Sequence, residues 1–188
     1  MPLLSKVILL LADVLAIVCL ARMLLQWGQL HYKQPLAEFC RSSTDWLIKP
    51  LRKLAPPLGR WDSACVLAVL LVYYLAYTAA MLLGLPEIQI SAKLVAANVL
   101  FTVFSALKAL AYTLLLGLVL RMMLSFAAPA APIMPVLQRI FDPLTRPFAF
   151  LRIGRMDFSA TVLVLALWLW LSHFAPQVMM QLNLWLLR

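Results

Sequence analysis

Two charged side chains stand inside apolar runs of this chain: Asp13, between Val7 and Trp27, and Lys108, between Val95 and Leu120. Each is a candidate for an ion pair, a proton relay or an ion site, because a lone charge at the centre of a membrane helix costs about 2.5–3.5 kcal/mol on the insertion scale. Asp13 lies nine positions before Arg22, and Lys108 thirteen before Arg121. At ~1.5 Å per residue their depths differ by about 6 Å, within reach of a lysine stem. Three outcomes stay open: a mutual ion pair if the two runs adjoin, a polar site for an ion or proton, or separate escape of each charge to water.

The other charges recur in pairs. Arg22 and Arg121 each close an apolar run, Asp45 and Asp142 lie 97 positions apart, and so do Lys49-Pro50 and Arg146-Pro147. Gly59-Arg60-Trp61-Asp62 returns as Gly154-Arg155-Met156-Asp157 after a two-residue deletion. Guanidinium and ammonium groups beside apolar runs suit anionic headgroups, at about 1 kcal/mol for each basic residue near the surface. Asp62 and Asp157 stand where a carboxylate caps the first turn of a helix, and Arg60 or Arg155 can pair with them or with lipid phosphate.

Other chemistry is sparse. Cys19, Cys40 and Cys65 have no nearby Cys or His partner in the sequence, so neither a zinc cluster nor a dithiol pair is expected, and no metal or cofactor is assigned. No phosphate-cradling glycine loop, nucleophile elbow or paired-carboxylate motif occurs, and the expectation is a protein that is not an enzyme. The net charge of +9 permits nucleic-acid binding, but the basic loops lack an aromatic platform and direct binding is not expected.

The elements that carry these residues follow from composition. Of 188 residues 65% are hydrophobic and 12% charged, with mean hydropathy +0.96, too few polar groups to cover a soluble globule when ordinary domains carry about 25% charged residues. The fold class is an all-α membrane protein with four transmembrane helices, 7–27, 64–84, 95–120 and 158–175, joined by loops 28–61 and 127–156 and followed by a tail 176–188 read as an interfacial anchor or a bent extension of the fourth span. The first span is expected to stay in the mature protein, since Asp13 interrupts its apolar stretch and no small-x-small cleavage site follows before the next basic loop. Residues 1–93 and 94–188 form two tandem hairpin repeats, each with an even number of spans and hence inserted in the same sense.

Twelve basic residues fall in the two loops or at the span ends feeding them, against Lys6, Lys93 and Arg188 on the other side. The positive-inside rule then puts both loops in the cytoplasm and both termini outside. Within the loops, Leu36, Phe39, Leu47, Leu51 and Leu54, and Ile133, Leu137, Ile140, Leu144, Phe148 and Leu151, recur at near-helical spacing between basic residues, including Arg52 and Lys53. Such basic amphipathic segments are expected to lie at the bilayer interface. Pro50, Pro143 and Pro147 break them into pieces, and Asp142-Pro143 reads as the start of a helix.

The run Thr44-Asp45-Trp46-Leu47-Ile48-Lys49-Pro50-Leu51-Arg52-Lys53-Leu54-Ala55-Pro56-Pro57, with an arginine at the preceding span end and Gly-Arg-x-Asp before the next span, resembles the YggT (YlmG) family of small membrane proteins. The resemblance covers both halves. The second copy departs from it, reading Phe141-Asp142-Pro143-Leu144-Thr145-Arg146-Pro147-Phe148 and lacking the Pro-Pro. It implies single or double hairpins in a bacterial cytoplasmic (inner) membrane, and roles in envelope organisation, cell division, plastid membrane biogenesis, or osmotic stress and potassium uptake. Two functions follow as expectations: a scaffold or assembly factor whose loops hold anionic phospholipid headgroups or a membrane or cytoplasmic protein partner, and a small ion channel, transporter or regulator of potassium flux. Either is compatible with a homo-oligomer.

Overall fold

The computed structural model describes residues 3–29, 34–56, 62–84, 92–127, 131–153, 156–157 and 159–187, with side chains left out at 84, 149–153, 156–157, 159 and 186–187. Helices α1 (Leu3–Trp27), α2 (Pro35–Leu51), α3 (Ser63–Gly84), α4 (Ala92–Ala127) and α5 (Met134–Thr145) lead into a 3₁₀ segment, Arg146–Leu151. A two-stranded antiparallel hairpin follows, β1 (Arg152–Ile153) with β2 (Met156–Asp157), and then α6 (Ser159–Leu169), a π segment Trp170–Phe174 and α7 (Ala175–Leu187). Among the described residues four stretches are long and apolar enough to cross a membrane: Leu3–Trp27, Ser63–Leu83, Ala92–Ala127 and Ala160–Trp185.

α1 packs along α3, and α4 lies against α1, α3, α6 and α7. Small side chains allow the close approach: Ala12, Ala16 and Cys19 on α1 and Ala64, Cys65 and Ala68 on α3 are almost wholly buried. In lipid, where apolar burial alone gives little preference for helix over bilayer, such small faces gain dispersion contacts by bringing backbones together. Further along, the rings of Tyr73, Tyr77 and Phe101 stack with centroids 6.4 and 5.6 Å apart, linking α3 to α4.

The fourth span does not end at Ala175. A proline at position 176 has no N–H to give and crowds the carbonyl four residues back, which would stop a regular helix. Instead the preceding turn widens, the Ala175 N–H donating to the Trp170 carbonyl, and the helix runs on through Leu187. The tail is thus helical and continuous with the fourth span as far as Leu187. The third span also exceeds its expected bounds, since α4 runs for 36 residues and Lys93 and Arg121 are not helix breakers.

The loop helices also differ from expectation. α5 begins at Met134 with Pro135 in its first turn, and Pro143 lies inside its last turn, so Asp142-Pro143 ends that helix instead of starting one. α2 likewise starts on Pro35 and carries Pro50 in its final turn. Proline is tolerated in a first turn, where its missing N–H is an orphan in any case. Near the end of a helix only one ladder bond is lost, and the chain after α5 tightens into 3₁₀ geometry.

Candidate functional site

Both loops gather at one end of the bundle. Gln29, with a left-handed φ of 59°, turns the chain out of α1, and its side-chain oxygen accepts from Arg139 of α5 at 3.2 Å. Gly28 permits the approach, because a β-carbon there would fall 2.7 Å from Val136 and 2.9 Å from Ile140.

At this end each of the two arginines that close a span reaches the aspartate of the following loop helix. Arg22 Nη1 lies 2.8 Å from Asp45 Oδ1, donates to Thr44 Oγ1 at 2.8 Å and also meets the Arg41 carbonyl at 3.3 Å. The Thr44 hydroxyl in turn donates to the Cys40 carbonyl one turn back. Lys49 Nζ closes on the other carboxylate oxygen at 2.9 Å, with Arg41 Nε at 3.9 Å. Burial pushes the Asp45 carboxyl up, but contact with Lys49 and Arg22, and the charge of both, holds it below its ordinary value. In the second half Arg121 Nη2 lies 3.3 Å from Asp142 Oδ1; the arginine is buried and the aspartate half exposed.

Asp62 is wholly buried and pairs with Arg52, which also approaches Gln26 at 3.5 Å. The expected cap is therefore absent from its side chain: the Cys65 amide donates to the Asp62 main-chain carbonyl, and Asp62 Oδ1 has no hydrogen-bond partner among the described residues. The bond to Asp62 raises the Arg52 pKa despite burial, which acts the other way. Around position 157 the backbone sets Arg152 opposite Asp157 across the β hairpin. Arg60 and Arg155 lie outside the described residues.

Lys49 and Lys53 on the first loop and Arg139 and Arg146 on the second are exposed, while Pro50 and Pro147 shape the turns beside them. Burial raises the pKa of the Cys40 thiol, with the Arg22 charge a lesser, opposing influence. All three cysteines are free and buried. Among the described residues no group of three His, Cys, Asp or Glu side chains could hold a metal ion.

Within the bundle Lys108 Nζ lies 3.8 Å from Asp13 Oδ2, and the Tyr73 hydroxyl donates to Asp13 Oδ1 at 2.6 Å. Tyr77 and Ser105 share a hydrogen bond of 2.6 Å nearby, and Asn98 donates to Thr78 at 2.8 Å. The roles of Thr44, Gln26 and Tyr73 went unread in the sequence. Thr44 carried one signal, its place directly before Asp45; a hydroxyl such as Tyr73 among apolar neighbours is visible, but its partner sits 60 positions away.

The CCB3/YggT family pattern matches this chain twice, over residues 1–83 and 100–178. A protein of Escherichia coli (strain K12), "Uncharacterized protein YggT", is 31% identical over 164 residues, covering 83% of this chain and 80% of its own length. An "Uncharacterized protein" of Haemophilus influenzae is 28% identical over 162 residues, covering 85% and 83%. No solved structure matches the chain. Matched over nearly its whole length, with the span-end arginines and loop aspartates inside the matched regions, the chain is a two-repeat member of the CCB3/YggT family.

Proposed function

We propose that this protein is a non-enzymatic scaffold or assembly factor of the bacterial cytoplasmic membrane, serving envelope organisation, cell division or the osmotic-stress response. The observation that carries the reading is the clasp made twice: Arg22 on Asp45 and Arg121 on Asp142 hold a loop helix against the end of the preceding span. A segment that only connected two spans would need no such tie. Held there, α2, α5 and the turns that follow them present Lys49, Lys53, Arg139 and Arg146 to anionic headgroups and to a protein partner, with Phe39, Trp46 and Leu54 exposed where the interface would cover them. In this reading the two hairpins are tandem parallel repeats, the basic end is cytoplasmic and both termini are outside.

A second reading, control of ion flux, is favoured by the polar line from Asp13 and Tyr73 to Tyr77 and Ser105. Against it, the Asp13 carboxylate is already met by Lys108 and a tyrosine hydroxyl, which neutralises the group an ion would need. The deciding experiment pairs two measurements. Potassium and proton flux is followed in liposomes for wild type and Asp13→Asn, and survival of osmotic downshift is followed in cells whose own copy is replaced by K53E/R139E/R146E. No flux with loss of complementation upholds the scaffold; flux that falls in Asp13→Asn overturns it.

A further inference from the structure

The two halves of the chain meet around an apolar cavity of about 210 Å³. Ile17 and Leu24 of α1, Phe39 of α2, Leu116 and Gly117 of α4 and Ile140 of α5 help to line it, so both halves supply its walls. Beside it, sharing Leu25 and Cys40, lies a polar cavity of about 300 Å³ faced by Arg22, Arg41, Arg52 and Gln26, all from the first half. The pair of cavities has the outline of an amphiphile: an apolar slot along the inner turns of the spans, and guanidinium groups at its end.

We propose that this junction holds one anionic phospholipid of the surrounding bilayer, an acyl chain in the apolar cavity and the phosphate against Arg41 and Arg52. The proposal rests on the reading that the basic end lies at the membrane surface. Water does not fill an apolar cavity, whereas a lipid tail, already at that depth, does. Charge complementarity selects the headgroup. Arg22 is committed to Asp45 and Thr44, and Arg52 Nη2 to Asp62, but Arg41 reaches Asp45 only at 3.9 Å with its side chain more than half exposed, and Arg52, which also lines the polar cavity, is 37% exposed with an Nε that has no hydrogen-bond partner among the described residues. Those donors match a phosphate, and guanidinium forks bind phosphate oxygens well. The polar cavity draws on the first half alone, so one lipid for each chain is expected and not two.

Native mass spectrometry of the full chain in detergent tests this, with dioleoyl phosphatidylglycerol or dioleoyl phosphatidylcholine as the probe. One phosphatidylglycerol should be retained in preference to phosphatidylcholine. Arg41→Gln, at an exposed position, should weaken its retention about fivefold, the equivalent of about 1 kcal/mol for one basic residue. Ala21→Phe, which fills the apolar cavity without touching a charge, should abolish retention of the lipid; if that variant loses its thermal transition, the milder Thr113→Leu takes its place and should weaken it. Equal retention of the two lipids, an unchanged lipid count in the filled variant, or displacement by equimolar inorganic phosphate would each overturn the proposal. Such a failure with osmotic complementation intact would leave the scaffold standing, whereas ion flux with selective lipid retention would remove the scaffold and leave the lipid site.

Discussion

Asp45 is gripped from two directions, by Arg22 at 2.8 Å from the end of one span and by Lys49 at 2.9 Å from its own helix. Arg22 is 8% exposed, so removing its partner strands a guanidinium with little water to receive it. Asp45→Asn is therefore expected to lower stability by about 2–3 kcal/mol, below the figure for a fully buried pair because the Asp45 side chain keeps 19% of its surface. Asp142→Asn, from an aspartate that is half exposed, should cost about 1 kcal/mol or less. Denaturant unfolding in detergent measures both, and equal losses would show that the two clasps are equivalent.

The acid dependence has a definite sign. The folded-state pKa of Asp45 is depressed, so its contribution is fully present above the ordinary carboxylate range and is lost as pH falls through the folded value. Thermal stability followed downward from pH 6 should begin to fall near pH 4, and Asp45→Asn should flatten that part of the profile. A wild-type profile that loses stability between pH 8 and pH 6 instead would point to a different group.

How much of this was legible in the sequence depended on range. The four spans follow from uninterrupted apolar length, and the Arg22 and Arg121 positions were visible because the chain repeats them. The Arg52 contact with Asp62 was not, since Asp62 before a helix satisfies the local pattern for a cap and only tertiary placement shows it turned to a guanidinium. The start of α5 was misplaced for a related reason: Asp142-Pro143 has the composition of a helix start, and the packing of Met134, Leu137, Ile140 and Phe141 against the bundle overrides it. At Pro176, where a regular helix would stop, a single wide turn carries the chain past the proline, a local geometry that composition does not reveal.

Within the bundle, Asp13, Tyr73 and Lys108 form one unit and should behave as one. Asp13→Asn and Lys108→Met are expected to be non-additive, with a coupling of about 1 kcal/mol in a double-mutant cycle. Tyr73→Phe removes a donor from Asp13 and should cost about 1–3 kcal/mol, less when Asp13 is already Asn. Strict additivity of the charge variants would mean that the 3.8 Å approach contributes nothing.

The last prediction concerns Gly117, which lets α5 dock on α4. A β-carbon built there would stand 2.5 Å from Cζ and 2.9 Å from Cε2 of Phe141, a ring that is 1% exposed. A lysine tip at that distance would swing aside freely; this ring is carried on α5 and borders the apolar cavity, so relief pushes the ring toward that space and shifts the loop helix with it. Gly117→Val should therefore destabilise by about 1–3 kcal/mol as overpacking does, even though valine suits the bilayer better than glycine by hydropathy. Because Phe141 directly precedes Asp142, the same displacement should draw the carboxylate away from Arg121 and make the second clasp irrelevant, so that Asp142→Asn adds little in the Gly117→Val background. Phe141→Leu should restore part of the loss by vacating the space the valine needs. Unfolding of the single, double and rescued variants in one detergent decides it, and a Gly117→Val protein as stable as wild type would show that α5 does not rest on α4 through this contact.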